Sequence, residues 1–270
     1  MSQVINAIYF SPTGTTEKIV TGIAGSISKK IDRQTHSIDF TLPEVRFKPI
    51  AFTADDIVIL GVPVYAGRVP NVLLNYLNTI IGNGAIAIAV VLYGNRNYDD
   101  SLIELRDILT NNGFKVIAGG AFIGEHSFSK ILAQNRPDEQ DMKIVDEFAN
   151  EIAKKITSPE ELTIVNVKGN QPYRKYYMPK NKEGNPVDIR KVTPKTNEDC
   201  SKCKLCVSVC PMGSIDPEDV AKLIGICIKC GACIKKCPSN AKYYDDENYL
   251  RHKEELEIEF SSRKEPEIFF

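Results

Sequence analysis

Residues 4–30 read VINAIYFSPTGTTEKIVTGIAGSISKK. A short apolar run, Val4–Phe10, stops at a Ser-Pro-Thr-Gly turn, and apolar residues then recur at Ile19, Val20, Ile23, Ala24 and Ile27, a helical spacing. The segment predicts a buried strand running through the loop SPTGTT, residues 11–16, into a helix. Such a loop offers hydroxyls, backbone N–H groups and a helix N-terminus to a phosphate. It has no lysine, unlike the G-K-[ST] ending of NTPase loops, and no G-x-G-x-x-G follows any strand. A plain helix cap at Thr13 or Thr15 would use the same residue types.

The alternation continues outward from this unit. Strands are expected at Gln34–Phe40, Asp56–Val62, Ala85–Tyr93 and Lys115–Ile123, with helices near Asn71–Ile81, Tyr98–Asn112 and Asp138–Ile156. Five buried strands separated by helices imply an α/β fold, a doubly wound five-stranded parallel sheet over residues 1–160. Ligands of such sheets lie at the carboxyl ends of the strands, which gathers the loops Ser11–Thr16, Pro63–Val69 and Tyr93–Asp100 at one edge.

Across all 270 residues, 34 basic side chains face 35 acidic ones, a net charge of −1. That balance argues against a broad electrostatic grip on nucleic acid or an acidic membrane. The longest apolar run, Ala85–Tyr93, is about half the length of a membrane span. MSQVINAIYF lacks a basic leader region, so no signal peptide is expected and a cytoplasmic location is. All eight cysteines lie between Cys200 and Cys237. This concentration in a chain without an export signal suggests reduced thiols holding metal, not a disulfide framework.

Residues 200–211, CSKCKLCVSVCP, and 227–238, CIKCGACIKKCP, repeat with a 27-residue period. Each half is C-x2-C-x2-C-x3-C-P, the run of bacterial two-cluster ferredoxins, in which the fourth cysteine serves the other cluster. That rule gives Cys200, Cys203, Cys206 and Cys237 to one [4Fe–4S] cluster, and Cys227, Cys230, Cys233 and Cys210 to the other. A zinc site would pair two short knuckles without the third and fourth cysteines of each run. Lysines inside the motifs would raise the cluster potential if close, or simply remain solvated.

The first loop, SPTGTT, resembles the phosphate loop of flavodoxins, [ST]-x-T-G-x-T. The resemblance implies FMN as ligand, with Ser11, Thr13, Gly14, Thr15 and Thr16 around its phosphate. It further implies that Pro63, Val64, Tyr65, Ala66 and Gly67 form one flavin loop and Tyr93, Gly94, Asn95, Arg96 and Tyr98 the other. Tyr65 and Tyr98 would stack on opposite ring faces, although Tyr65 and Tyr93 also suit ordinary packing. The Ala66–Gly67 peptide would face flavin N5. Flavodoxins surround the ring with acidic residues, whereas this chain places Arg68 and Arg96 there. An arginine near N1 would raise the flavin potential; alternatively, both face solvent or bind a partner's carboxylates. His126 is expected to be an exposed loop residue, with a place beside the flavin as the alternative. No Ser-His-Asp or paired-carboxylate arrangement is legible, so no catalytic residue is assigned.

The order of modules resembles the flavodoxin–ferredoxin fusion proteins of anaerobes. It implies a flavodoxin-like FMN domain (1–160), a linker (161–195), a small α+β two-cluster ferredoxin domain (196–245) and a C-terminal helix and tail (246–270). The linker reads as a semi-extended tether, unless its tyrosines pack and fix the domains. The apolar Ile268-Phe269-Phe270 suggests a tail pinned to a surface. The function expected is electron transfer between two [4Fe–4S] clusters and FMN, with redox proteins as partners. Cluster and flavin could meet within one chain or, slightly preferred, across a homodimer. An FMN-dependent reductase fed through the clusters and a metal-stabilised interaction module are the other readings.

Overall fold

The computed structural model describes residues 4–158 and 162–270. The first three residues of the leader reading and the expected boundary at 160–161 lie outside the described residues. The N-terminal module runs β1 (Ile5–Tyr9), α1 (Thr15–Ile31), β2 (Thr35–Asp39), β3 (Ile57–Pro63), α2 (Leu74–Leu77), β4 (Ile86–Tyr93), α3 (Ser101–Asn111), β5 (Lys115–Ile123) and α4 (Glu139–Thr157). The first five strands pair in parallel in the order β2-β1-β3-β4-β5. This is the flavodoxin-like doubly wound order.

Alternate residues of the central strands supply two cores. Ile5, Ile57 and Ile59 meet Ile19, Ile23, Val145 and Phe148 from α1 and α4. Ile8, Val58 and Leu60 face the opposite layer, with Leu102 and Leu105 of α3. Each such side chain contributes about 1.5–3 kcal/mol on burial, which is why these strands read as continuous apolar runs.

The expected helix near Asn71–Ile81 is cut to a 3-10 turn at Asn71–Leu73 and the single turn α2. Past Asn78 the backbone bonds tighten to i→i+3, Thr79 N–H to the Tyr76 carbonyl at 2.9 Å and Ile80 N–H to the Leu77 carbonyl at 3.2 Å, and the Thr79 hydroxyl shares the Tyr76 carbonyl at 2.7 Å.

The second module contains β6 (Lys195–Thr196), α5 (Leu205–Ser208), α6 (Ala232–Lys235) and β7 (Lys242–Tyr243), and α7 (Glu247–Glu259) follows it. β6 and β7 pair as a small antiparallel ribbon. The chain then returns to the first module as β8 (Glu267–Phe269), antiparallel to β5, and Phe270 meets Phe148 at 5.5 Å. The five parallel strands expected from sequence therefore gain a sixth, because the apolar tail covers the open edge of β5.

The tether reading of residues 161–195 is overturned over much of its length. Val165 and Val167 are buried, and the Val165 N–H bonds the Val116 carbonyl at 2.8 Å. The Asp100 carboxylate accepts the backbone N–H groups of Asn170 and Arg174, Tyr173 bonds Asp107 at 2.6 Å, and Tyr176 bonds the Val69 carbonyl at 2.9 Å. The prolines prevent regular structure but leave these side chains free to anchor the segment as a strap.

Candidate functional site

The two cysteine runs adopt the same local backbone. Lys202 and Lys229, and likewise Lys204 and Gly231, are left-handed at equivalent positions, with φ 55, 56, 60 and 77°. Equivalent N–H groups also point at sulfur: Ser214 to Cys210 and Ala241 to Cys237, both at 3.3 Å. Cys210, Cys227, Cys230 and Cys233 line one open space of about 360 Å³. Cys200, Cys203, Cys206 and Cys237 line another of about 300 Å³. Each space thus gathers three cysteines of one run and the fourth of the other, a donor set whose chemistry fits a [4Fe–4S] cluster. All eight cysteines are free of disulfides. Among the described residues, no three His, Cys, Asp or Glu side chains converge tightly enough for a single metal ion. Burial pushes the Cys230 and Cys233 thiols up to about 12, so thiolate ligation there must release protons.

The motif lysines divide. Lys202 and Lys204 are exposed, whereas Lys235 pairs with Glu125 and donates to the Ser129 carbonyl at 3.0 Å. Lys242 is buried and donates to the Val220 carbonyl.

At the first loop, α1 opens on Gly14 at φ 88° with no side-chain cap, and the space beside this residue is empty. The first N–H groups of a 17-residue helix, with no side chain from the N-cap residue over them, are a fitting phosphate seat. Thr13, Gly14 and Thr15 form its half-buried face. Ser11 and Thr16 are buried beneath, and Ser11 Oγ accepts the Glu17 N–H at 3.0 Å, so these two residues build the loop.

After β3, Tyr65 and Arg68 exchange backbone bonds at 3.0 and 3.1 Å around Ala66 and Gly67, both at positive φ. This is a two-residue hairpin. A Cβ at Gly67 would strike the Asp99 carboxylate, so only glycine suits the turn. The Ala66 carbonyl accepts the Tyr177 N–H at 2.9 Å, and the Gly67 carbonyl accepts the Asp100 N–H at 3.1 Å. The strap therefore holds the peptide expected to face N5. Tyr65, the first residue of this hairpin, is half-buried. Burial, then the Cys230 and Cys227 sulfurs, raises its hydroxyl well above the ordinary range.

Arg68 is committed elsewhere than the flavin. It forms a two-point bond with Glu104 at 2.7 and 2.6 Å and lies between the Tyr173 and Tyr176 rings. Arg96 pairs with Asp99 and covers the Tyr177 ring at 4.6 Å. Both arginines therefore bind carboxylates of their own chain, not of a partner and not facing solvent as the alternative reading had it.

Tyr98 requires a correction. It is only 5% exposed, packs against Tyr93 at 5.6 Å and bonds Glu267 at 3.1 Å. It belongs to the core and to the β8 junction, not to a ring-stacking face. Asn95 is likewise occupied, donating to the Phe260 and Ser262 carbonyls at 2.6 and 2.8 Å.

His126 is also corrected: it is not an exposed loop residue. It presses on Gly94, accepts the Phe128 N–H at 3.1 Å, and burial first, then Lys235, lowers its pKa to about 3. From it an aromatic bridge crosses the modules. Phe128 meets His126 at 5.3 Å and Tyr249 at 4.7 Å, Tyr249 meets Tyr244 at 4.2 Å, and the Tyr244 hydroxyl lies 3.9 Å from Cys227 Sγ. Sequence reasoning gave Phe128 and Tyr244 no role. Single aromatics carry no periodic signal, and the Phe128 partner Tyr249 lies over a hundred residues along the chain.

The geometry defines a flavodoxin-like module and a cysteine-lined module packed against each other. The family described as the 4Fe-4S dicluster domain matches residues 199–242. The N-terminal part is similar to several solved flavodoxins. Flavodoxin 2 from Bacillus cereus is 17% identical, with 57% of this chain and 99% of that one covered and a TM-score of 0.43. The FMN-bound flavodoxin of Fusobacterium nucleatum is 21% identical, with 57% and 99% covered and a TM-score of 0.39. A flavodoxin from the domain Archaea is 14% identical, with 58% and 99% covered and a TM-score of 0.39. No curated protein matches the sequence. Among the described residues, no helix is long and apolar enough to cross a membrane.

Proposed function

We propose that this chain is an electron-transfer protein carrying FMN and two [4Fe–4S] clusters, passing single electrons among them and to redox-protein partners. The observation that carries the reading is the pair of four-cysteine spaces, one of them lined by Ile228 and Gly231, which pack against the sheet module. When bound, FMN would accept or release one or two electrons while each cluster handles one, so the chain would couple one-electron and two-electron partners. Thr13, Gly14 and Thr15 would seat the phosphate, and the Tyr65–Arg68 hairpin would border the ring. Contacts between the modules within one chain support intramolecular exchange over the homodimer preferred from tether length, because the strap is anchored and not free.

A second reading is an FMN-dependent reductase of a small substrate. The inward turn of Tyr98 favours it, since one ring face then lacks the aromatic cover expected of a pure carrier. An anaerobic preparation analysed for iron, sulfide and flavin tests the first reading, with about eight irons and one FMN per chain expected. Colourless protein, or zinc in place of iron, would reject it. Turnover of small oxidants by loaded protein would favour the reductase.

A further inference from the structure

The two cysteine runs share a backbone but differ in surface. Ser201, Lys202, Cys203, Lys204 and Leu205 are all exposed. Their counterparts 27 residues on are Ile228, Lys229, Cys230, Gly231 and Ala232, all buried or half-buried. Ile228 packs against the core of the sheet module. A Cβ at Gly231 would come within 2.6 Å of the Ser127 carbonyl oxygen, and Lys229 reaches the Arg190 carbonyl at 3.1 Å. Cys230 and Cys233 are each 9% exposed, whereas Cys203 is open to solvent. The fourth ligand of the same set, Cys210, precedes Pro211, whose carbonyl accepts from Arg46 at 2.6 Å.

From this asymmetry we propose that the clusters have fixed and unequal positions in the electron route. The inner one, held by Cys210, Cys227, Cys230 and Cys233, exchanges electrons with the flavin site of the same chain. The outer one, held by Cys200, Cys203, Cys206 and Cys237, exchanges them with a one-electron redox protein docking over Ser201–Leu205. This rests on the two-cluster, one-flavin reading above. In the reducing direction, one electron leaves the partner's own cofactor and reaches the Cys203 side, then the Cys230 side. Two such passages, with two protons from solvent, account for a two-electron reduction at the flavin site; the oxidising direction reverses each transfer. The differences at 201/228, 204/231 and 205/232 thus make one face of a pseudo-symmetric module a partner surface and the other an internal seam.

The test uses holoprotein with full iron, sulfide and flavin content. It is reduced anaerobically and followed by EPR with and without a soluble dysprosium chelate. The cluster signal shifted or lost in Cys203→Ser should be the one whose relaxation the chelate accelerates. The signal shifted or lost in Cys230→Ser should be indifferent to the chelate. Rapid mixing with a reduced small ferredoxin as probe should show flavin bleaching after cluster reduction, at a rate independent of protein concentration. The opposite pairing, equal acceleration of both signals, or bleaching that scales with protein concentration would overturn the assignment. Protein that never acquires both clusters and flavin would defeat the underlying reading as well, so the two failures are distinct.

Discussion

Gly231 meets Ser127 backbone to backbone: a Cβ on the glycine would stand 2.6 Å from the serine carbonyl oxygen. Lys204, at the matching point of the first run, takes φ 60° with a full side chain. The left-handed backbone alone therefore costs about 1–2 kcal/mol there, and the contact with Ser127 is the stricter demand. Gly231→Ala should leave both clusters loaded, lower the Tm and slow flavin bleaching through the clusters. Thermal melts and stopped-flow absorbance check this; unchanged values would show that the seam yields without cost.

The Tyr244 hydroxyl lies 3.9 Å from Cys227 Sγ, a ligand of the inner cluster in the proposed reading. A hydroxyl donated to a ligand sulfur stabilises the more negative, reduced state. With a hydrogen bond contributing about 0.5–1.5 kcal/mol, Tyr244→Phe should lower that potential by roughly 20–60 mV, since about 59 mV corresponds to about 1.4 kcal/mol for one electron. An EPR-monitored titration measures it. No change would mean that the hydroxyl points its hydrogen elsewhere.

The Arg68–Glu104 bond anchors the Tyr65–Arg68 hairpin. Glu104 is 3% exposed and also accepts the Val69 N–H at 2.9 Å. Glu104→Gln strands a guanidinium between two tyrosine rings and should destabilise the protein by roughly 3 kcal/mol, as broken buried pairs do. Urea denaturation checks the loss. A wild-type midpoint would show that the strap alone holds the hairpin.

Acid should loosen the seam. His126 is lowered to about 3 by burial first, then by Lys235, His252 and Arg96, and His252 is lowered mainly by burial. A histidine depressed in the folded state keeps its full contribution above the unfolded pKa of about 6.5 and loses it as pH falls toward the folded value. From about pH 7.5 to about pH 5, His126 alone should remove about 2 kcal/mol. Denaturation midpoints for wild type and His126→Gln should converge as pH falls; parallel curves would remove His126 as the cause.

Much of this molecule was legible before its structure. The spacing of the cysteine runs encodes which four cysteines gather at each space, and Ile57–Leu60 encodes a two-faced strand in its unbroken apolar character. What escaped was direction and distant partnership. Tyr98 reads equally well as a ring stacker or a core residue until Glu267, far along the chain, is seen to hold its hydroxyl. Val165 and Val167 look like linker residues because prolines surround them, yet they fill a gap over the sheet. The burial of His126 had one signal available, Gly94, whose missing side chain leaves room for the imidazole.

The pairing of β8 with β5 has a bearing on biosynthesis. Residue 269 must leave the ribosome before the sheet acquires its last member, and by then every cysteine has already been made. Iron delivery can thus begin while the neighbouring α/β layer still has a bare margin, and a chain stalled near residue 260 would present that margin to other nascent polypeptides.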